Sequence, residues 1–270
     1  MLQWSLIFVL AFFIASIQCS DKAVSDLTYY LAKTSFKYMA ADGTGKEVPT
    51  NHEDTILMVA TESGKIVGSA QSYCRHVNPP LEQIKNKSYA TPIISLQGTS
   101  WYYPLKDGEI VEDKGFNISQ SCAPITYGCI TLVHNYCSVP VDDLKSDKKT
   151  KPAILSKSSK KPIPGSKLIA QIYYNREAYN VEVEVKDFSE CQKQFDPENV
   201  YLVDAEEQIC TARIYKKLGD NPIALPAALL FEKKDNKVYL IGIESRAEGE
   251  LSLSTFAPYH CDKFEDACSP

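Results

Sequence analysis

Cysteine is the residue type with the clearest chemical meaning in this sequence. The chain has nine cysteines, and eight remain if Cys19 leaves with an apolar N-terminal segment. An even number in an exported chain indicates disulfides rather than a thiol nucleophile or a zinc site. No Cys-x-x-Cys pair and no His-x-x-x-His spacing occurs, so the sequence predicts neither a metal site nor a cofactor.

Two sequons are candidate modification sites. Asn86 is followed by Lys87 and Ser88, and Asn117 is followed by Ile118 and Ser119. This Asn-x-Ser pattern is the acceptor pattern for N-linked glycans. We expect glycans on Asn86 and Asn117 if the chain is exported, and the alternative is an unmodified turn at each.

Seven lysines lie within residues 145–161, although the chain has a net charge of −5. The overall negative charge argues against a nucleic-acid partner. Lysines in a Ser/Pro-rich segment usually face water, so we expect a solvated linker here. The alternative is a site for an anionic polysaccharide or phospholipid. The seven are Lys145, Lys148, Lys149, Lys151, Lys157, Lys160 and Lys161.

The first 20 residues contain an apolar run from Trp4 to Ile14. This run is too short to span a bilayer comfortably, and it predicts a signal peptide over residues 1–20 and a secreted, extracellular protein. The alternative is a signal anchor. No later segment is apolar enough to insert into a membrane. About 250 residues remain, enough for one large all-β domain or two ordinary domains.

Most of the remaining periodicity is that of strands. Short runs rich in β-branched and aromatic residues alternate with Pro, Gly, Asn and Asp, and a polar turn at residues 233–237 predicts a hairpin. Helical periodicity is confined to residues 27–39, 188–195 and 259–267. Many short strands predict an all-β barrel or sandwich, which the lysine-rich segment divides into two similar halves. The predicted strands are residues 56–60, 91–96, 130–133, 167–173, 181–185, 227–231 and 238–243.

Four segments of the second half form a recognisable series. They are residues 162–168 (PIPGSKL), residues 183–195 (VEVKDFSECQKQF) with 208–210 (QIC), residues 239–245 (YLIGIES) and residues 254–264 (STFAPYHCDKF). In this order and spacing they resemble segments of the trypsin/chymotrypsin-like serine peptidases: PxPGTKL, VEVPIVSxSECQKAY with QICAG, LxGIVS and YTRVSPYLDWI.

The resemblance implies two six-stranded antiparallel barrels, a cleft between them and a short C-terminal helix. It places the domain at residues 21–270, with the first barrel at about 45–144, the lysine-rich connection at 145–161, the second barrel at about 162–256 and the helix at about 257–268. It also implies a disulfide between Cys191 and Cys210. The pairing of the six other cysteines stays open: Cys74, Cys122, Cys129, Cys137, Cys261 and Cys268.

The nucleophile of this family is the Ser of GDSGGP, and residues 219–226 (GDNPIALP) are the matching segment here. If Asp220 is held in register, Asn221 takes the Ser position; if Pro226 is held in register, Ile223 takes it. Neither side chain can attack a carbonyl. Pro222 also removes a backbone N–H, so we expect the oxyanion hole to be lost.

The acid and base positions are also changed. Residues 127–133 (YGCITLV) resemble the strand that carries the acid, and Cys129, expected in a structural disulfide, stands at its position. In one register Tyr73 or Ser72 replaces the base; in the other, which keeps nearly the family's distance to Cys129, the base position falls near Glu82 to Lys85. The four histidines are expected to be surface or packing residues: His52, His76, His134 and His260.

Other substitutions also indicate that catalysis is lost. No cysteine lies between Cys210 and Cys261, so the disulfide that ties the family's nucleophile loop to its specificity strand is missing. Arg246 stands where the family's SWG strand docks substrate backbone, and Lys216 or Lys217 falls near the base of the specificity pocket. Residues 65–68 (KIVG) look like an activation cleavage site, but we interpret them as a strand.

These observations predict a secreted non-catalytic serine peptidase homologue that binds an extracellular protein, such as an active peptidase or its substrate. One alternative is an active trypsin-like endopeptidase whose catalytic residues are misplaced above. The other is a secreted adhesion or matrix protein that binds an anionic polysaccharide through the lysine-rich segment.

Overall fold

The structure is a computed structural model of the 270-residue chain. It describes residues 22–41, 47–69, 93–118, 136–141, 144, 148–155, 161–174, 177–195, 208–212, 228–246 and 253–258. The expected C-terminal helix and the predicted strand at residues 130–133 lie outside these ranges, except that residues 257–258 end a strand.

Seven strands from the first half form one antiparallel sheet. Its order is β5-β4-β1-β2-β3-β7, and β6 pairs with β4. A 3-10 turn at Glu112–Lys114 separates β5 from β6. The strands are β1 (Tyr29–Ala41), β2 (Glu47–Ala60), β3 (Lys65–Ser69), β4 (Ile93–Lys106), β5 (Glu109–Ile110), β6 (Phe116–Ile118) and β7 (Tyr136–Pro140).

Seven strands from the second half form the other sheet, in the order β10-β9-β12-β13-β14-β11. All pairs are antiparallel except β8, which runs parallel to β13. The helix α1 (Phe188–Phe195) lies between β10 and β11 in the chain. The strands are β8 (Ile154–Leu155), β9 (Lys167–Tyr174), β10 (Glu177–Glu184), β11 (Ile209–Ala212), β12 (Leu229–Lys234), β13 (Lys237–Arg246) and β14 (Leu253–Pro258).

The prediction of an all-β chain built from two largely antiparallel units is therefore confirmed. Each sheet has seven strands instead of six. The additional strand is β5 in the first sheet and β8 in the second, and each has only two residues. The first sheet begins at Tyr29, whereas the sequence placed the first barrel from about residue 45. The helix predicted at residues 188–195 is α1, and the predicted hairpin turn lies between β12 and β13.

The helix predicted at residues 27–39 is wrong, because this segment forms most of β1. Tyr29 and Leu31 are buried on one face of the strand, and Tyr30 and Ala32 are buried on the other. Successive side chains of a strand point to opposite faces. A strand buried on both faces has no polar alternation, so its apolar residues can also be fitted to a helical spacing.

Alternation along the strands produces three apolar clusters. In β12, Leu229 and Phe231 contribute to a cluster that contains residues from both sheets, whereas Leu230 faces the interior of the second sheet. The first sheet encloses its own cluster around Met58 and Tyr102. We call the cluster between the sheets the shared core: Val24, Tyr29, Leu31, Leu57, Val59, Val67, Ala153, Leu155, Ile169, Tyr173, Leu229, Phe231, Val238, Leu240 and Ile243.

The connection between the sheets is partly built into this core. Lys151 accepts a backbone hydrogen bond from Thr28 at 2.9 Å, and the Ala153 N–H donates to Ala60 O at 2.8 Å. Ala153 and Leu155 are buried in the shared core, and Leu155 belongs to β8. The prediction of a solvated linker therefore holds for the exposed lysine side chains, but it does not hold for the backbone that carries them.

Replacing Leu155 by alanine is expected to lower the free energy of unfolding by about 2–4 kcal/mol, because a side chain that is 1% exposed leaves a cavity between the sheets. Urea denaturation measures the change. The Lys148→Ala variant is the matched control, since Lys148 is exposed in the same segment, and its stability should stay within about 0.5 kcal/mol of the wild type. Equal effects of the two substitutions would contradict the burial of Leu155.

Candidate functional site

The segment that matches the family's nucleophile loop lies between two strands of the second sheet. Residues 219–226 follow β11 and precede β12, whose first residue is Leu229. Asn221 and Ile223 themselves lie outside the described residues. The described strands therefore place the two ends of this loop, which enter and leave the sheet at β11 and β12.

The point where this loop returns to the sheet is held by Glu244 of β13. The Ala228 N–H donates to the Glu244 carboxylate Oε2 at 2.9 Å. The Glu244 N–H in turn donates to the Ala228 carbonyl at 2.9 Å. Both residues are fully buried. A hydrogen bond that is shielded from water is electrostatically stronger than one at the surface, so Glu244 anchors the end of the loop to β13.

The sequence reasoning missed Glu244, although a signal was present. In residues 239–245 the glutamate stands where the family's LxGIVS strand has Val. A carboxylate between apolar residues of a buried strand needs a hydrogen-bond donor, because an ionised group without a partner is costly to bury. Its donor is a backbone amide two residues after Pro226, next to the loop that the disulfide ties down in the family.

The strand that would dock substrate backbone in the family ends in an irregular region here. The pairing of β13 with β14 changes register between Glu244 and Arg246, and Arg246 pairs with Thr255. Such a bulge twists a strand and redirects its side chains. Arg246, the last residue of β13, therefore lies beyond the bulge, at the end of the strand.

The described part of the chain does not include the other residues predicted to stand at the triad positions. His52 lies on β2, where its backbone pairs opposite Phe36. The replacement of the triad and the pocket lysines thus stays a prediction. The following lie outside the described residues: Cys129, Tyr73, Glu82, Lys216, Lys217, Asn86, His76, His134 and His260.

The disulfide between Cys191 and Cys210 is confirmed. It joins α1 to β11, and both cysteines are buried. The helix begins after Asp187, whose carboxylate Oδ1 accepts a hydrogen bond from the Ser189 N–H at 2.9 Å. This is an N-cap contact, and hydrogen bonds from the Ser189 side chain and from the Ser189 N–H lower the pKa of Asp187 below its ordinary value. The cap and the disulfide together fix α1 against the second sheet.

The lysine-rich segment is only partly an open cationic surface. Lys148, Lys149 and Lys151 are exposed, and Lys151 Nζ lies 3.5 Å from Asp26 Oδ2. Lys161 Nζ lies 6.0 Å from the ring centroid of Phe188, at the outer range of a cation–π contact. Lys145, Lys157 and Lys160 lie outside the described residues.

Residues 65–68, which look like an activation cleavage site, are a strand as predicted. Ile66 and Val67 lie within β3 and are fully buried, and they pair with both β2 and β7. The described ranges contain no helix long and apolar enough to cross a membrane. Within the same ranges, no three His, Cys, Asp or Glu side chains are grouped so that they could hold a metal ion.

Several solved structures are similar to this chain. The scabies mite inactivated protease paralogue S-D1 is 14% identical, with a TM-score of 0.49 over 92% of this chain and 94% of that chain. A thermostable serine protease, AL20, from an extremophilic microorganism is 8% identical, with a TM-score of 0.49 over 87% and 94% of the two chains. Kallikrein-related peptidase 10 is 12% identical, with a TM-score of 0.45 over 91% and 94%.

No protein-family model and no curated protein matches the sequence.

Proposed function

We propose that the protein is an exported, non-catalytic serine peptidase homologue that acts by binding another extracellular protein. A buried disulfide persists in oxidising compartments, so the Cys191–Cys210 bond supports export, as does the apolar segment at residues 1–20. The two sheets around a shared core support a cleft-bearing scaffold of the kind that this family uses.

The observation that carries the proposal is the composition of residues 219–226. Peptide-bond cleavage in this family needs a hydroxyl nucleophile, an imidazole base, a carboxylate that orients it and backbone donors for the oxyanion. The segment has Asn221 and Ile223 in the two possible registers, and Pro222 lacks a donor.

Binding then depends on surfaces around the cleft. By the sequence resemblance, Arg246 stands where the family docks substrate backbone. A bulky charged side chain there opposes substrate entry in the family's usual mode. Analogy with other inactive homologues suggests an active peptidase or its substrate as the partner.

A second candidate is binding of an anionic polysaccharide through the lysine-rich segment. The exposed side chains of Lys148 and Lys149 favour it. The neutralising contact between Lys151 and Asp26, and the placement of Lys161 on Phe188, both weaken it. We therefore place protein binding first.

Hydrolysis of a fluorogenic peptide library tests the proposal. We expect no turnover above the buffer blank by the purified mature protein, because none of the positions that match the family's triad carries the nucleophile, the base or the acid. The variants Asn221→Ser and Ile223→Ser should be equally inactive, because a hydroxyl alone has no base to activate it. Turnover by the wild type would contradict the proposal, and turnover gained by either variant would show that the base and the acid are present.

A further inference from the structure

A pair of stacked aromatic side chains lies on the outer face of the first sheet. Trp101 of β4 is 45% exposed, unusually open for a large apolar side chain. Its ring lies 6.5 Å from that of Tyr103, with 23° between the planes. Lys33 Nζ of β1 lies 5.0 Å from the centroid of the Tyr103 ring. These contacts are within the ranges of aromatic stacking and cation–π attraction, so the two rings form an ordered surface.

The ring of Tyr103 packs directly on Gly115 in the neighbouring segment. A Cβ placed on Gly115 would lie 2.5 Å from Tyr103 Cε1. Two carbon atoms cannot approach so closely, so the ring lies directly against the glycine backbone. Close packing of the ring on the backbone of Gly115, just before β6, fixes the orientation of the ring. Trp101 therefore stacks against the Tyr103 ring, whose orientation is fixed by its contact with Gly115.

The strand register places Asn117 beside Trp101. Trp101 pairs with Lys33 of β1 on one side and with Asn117 of β6 on the other. Residues directly opposite one another across two strands point to the same face, with Cβ atoms roughly 4.5–5.5 Å apart. The neighbouring pair, Tyr102 and Phe116, stacks on the inner face. Asn117 is exposed on the same outer face as Trp101.

We propose that Asn117 carries an N-linked glycan whose first sugar lies on the exposed surface of Trp101. The acceptor pattern is completed by Ser119. The C–H face of a pyranose carries a slight positive charge, which matches the negative face of an indole ring. Stacking of the sugar removes apolar ring surface from water, which stabilises the arrangement further. The inference rests on the proposed export of the chain, since the donor sugar is available only in the secretory pathway.

The covalent step uses a polyprenyl-diphosphate-linked oligosaccharide as the co-reactant. The side-chain amide nitrogen of Asn117 forms a bond to C1 of the first sugar. The bond between C1 and the diphosphate oxygen breaks, polyprenyl diphosphate leaves, and the amide gives up one proton. The cellular glycosyltransferase carries out this transfer; the sheet of this chain supplies the acceptor and the ring beside it.

Tryptophan fluorescence can report on this surface selectively. The chain has two tryptophans, Trp4 and Trp101, and Trp4 leaves with residues 1–20. The mature protein then contains Trp101 alone, and the Trp101→Phe variant should lose tryptophan emission. Acrylamide quenching of that emission measures the exposure of the ring.

The experiment compares three forms of the full chain, exported from eukaryotic cells with its own leader. They are the high-mannose glycoprotein, the same protein trimmed by an endoglycosidase to one sugar, and the unglycosylated Ser119→Ala variant. We expect the quenching constant to be about twofold lower in the first two forms than in Ser119→Ala, because one face of the ring is covered. The control Asn86→Gln removes the other sequon and should quench like the wild type.

Several outcomes would overturn the inference. Peptide mapping that finds Asn117 unoccupied would do so; an occupied Asn86 beside it would leave the export of the chain intact, whereas two empty sites would contradict both. Equal quenching in all three forms, or protection lost on trimming to one sugar, would show that the first sugar does not lie on Trp101. Quenching of the glycoprotein that falls as protein concentration rises would assign the surface to a second copy of the chain instead.

Discussion

Replacing Cys191 and Cys210 together by alanine is expected to lower the free energy of unfolding by about 3 kcal/mol. The two cysteines are 19 residues apart and join α1 to β11, so the bond restricts the unfolded chain. They are also 0% and 2% exposed, so the alanines leave space in a packed region. Urea denaturation of the two purified proteins measures the difference.

The Lys193→Ala variant is the control for this result. Lys193 lies on α1 two residues after Cys191, and its side chain is exposed. A surface substitution of this kind should change stability by no more than about 0.5 kcal/mol. A loss of less than about 1 kcal/mol in the double alanine variant would mean that the disulfide adds little to the second sheet.

The Phe231→Ala variant is expected to lose about 3–5 kcal/mol of unfolding free energy. Phe231 is 0% exposed in the shared core, and its ring meets that of Tyr29 edge to face at 6.3 Å and 87°. Phe231 belongs to the second sheet and Tyr29 to the first. The substitution therefore weakens both sheets, and the unfolding midpoint seen by Trp101 fluorescence, a probe in the first sheet, should shift with the midpoint seen by circular dichroism.

The Lys234→Ala variant is a control on the same strand, because Lys234 is exposed near the end of β12. Its midpoint should match that of the wild type. If Phe231→Ala moved the circular dichroism transition but left the Trp101 transition in place, the two sheets would unfold independently. That result would contradict a shared core that couples them.

Two features that the sequence predicted correctly, a helix and a hairpin, depend on neighbouring residues. The helix α1 follows a capping residue, Asp187, and the N-cap contact is local. The hairpin between β12 and β13 turns at Asp235 and Asn236, which adopt positive φ angles of 51° and 60°. Asp and Asn tolerate this conformation better than most other residues, so a polar turn at this place is readable from the sequence.

The features that the sequence did not predict depend on distant partners. The strand β1 pairs with β4, more than sixty residues later, at the register of Lys33 with Trp101. No local pattern specifies such a pairing, and burial on both faces hid the alternation of β1. Similarly, residues 153–155 are three apolar positions next to lysines, too few to form a period, and the burial of Ala153 and Leu155 follows from contacts with both sheets.

In the candidate site, replacement of the nucleophile stays a prediction from residues 219–226, and it rests on the family-like sequences of the neighbouring strands. The glutamate in a buried strand was a signal for a hydrogen-bond donor, but the identity of that donor could not be predicted, because Ala228 lies before β12 and Glu244 lies on β13. The surface formed by Trp101 and Asn117 likewise required the register of β4 with β6.

Covalent labelling with a fluorophosphonate probe tests the absence of catalysis most directly. Such probes react only with a serine whose hydroxyl is activated by a neighbouring base. The mature protein should give no labelled band above that of a heat-denatured sample, at a probe concentration that labels an active trypsin-like peptidase completely. A labelled serine in the native protein, lost on prior heating, would contradict the account.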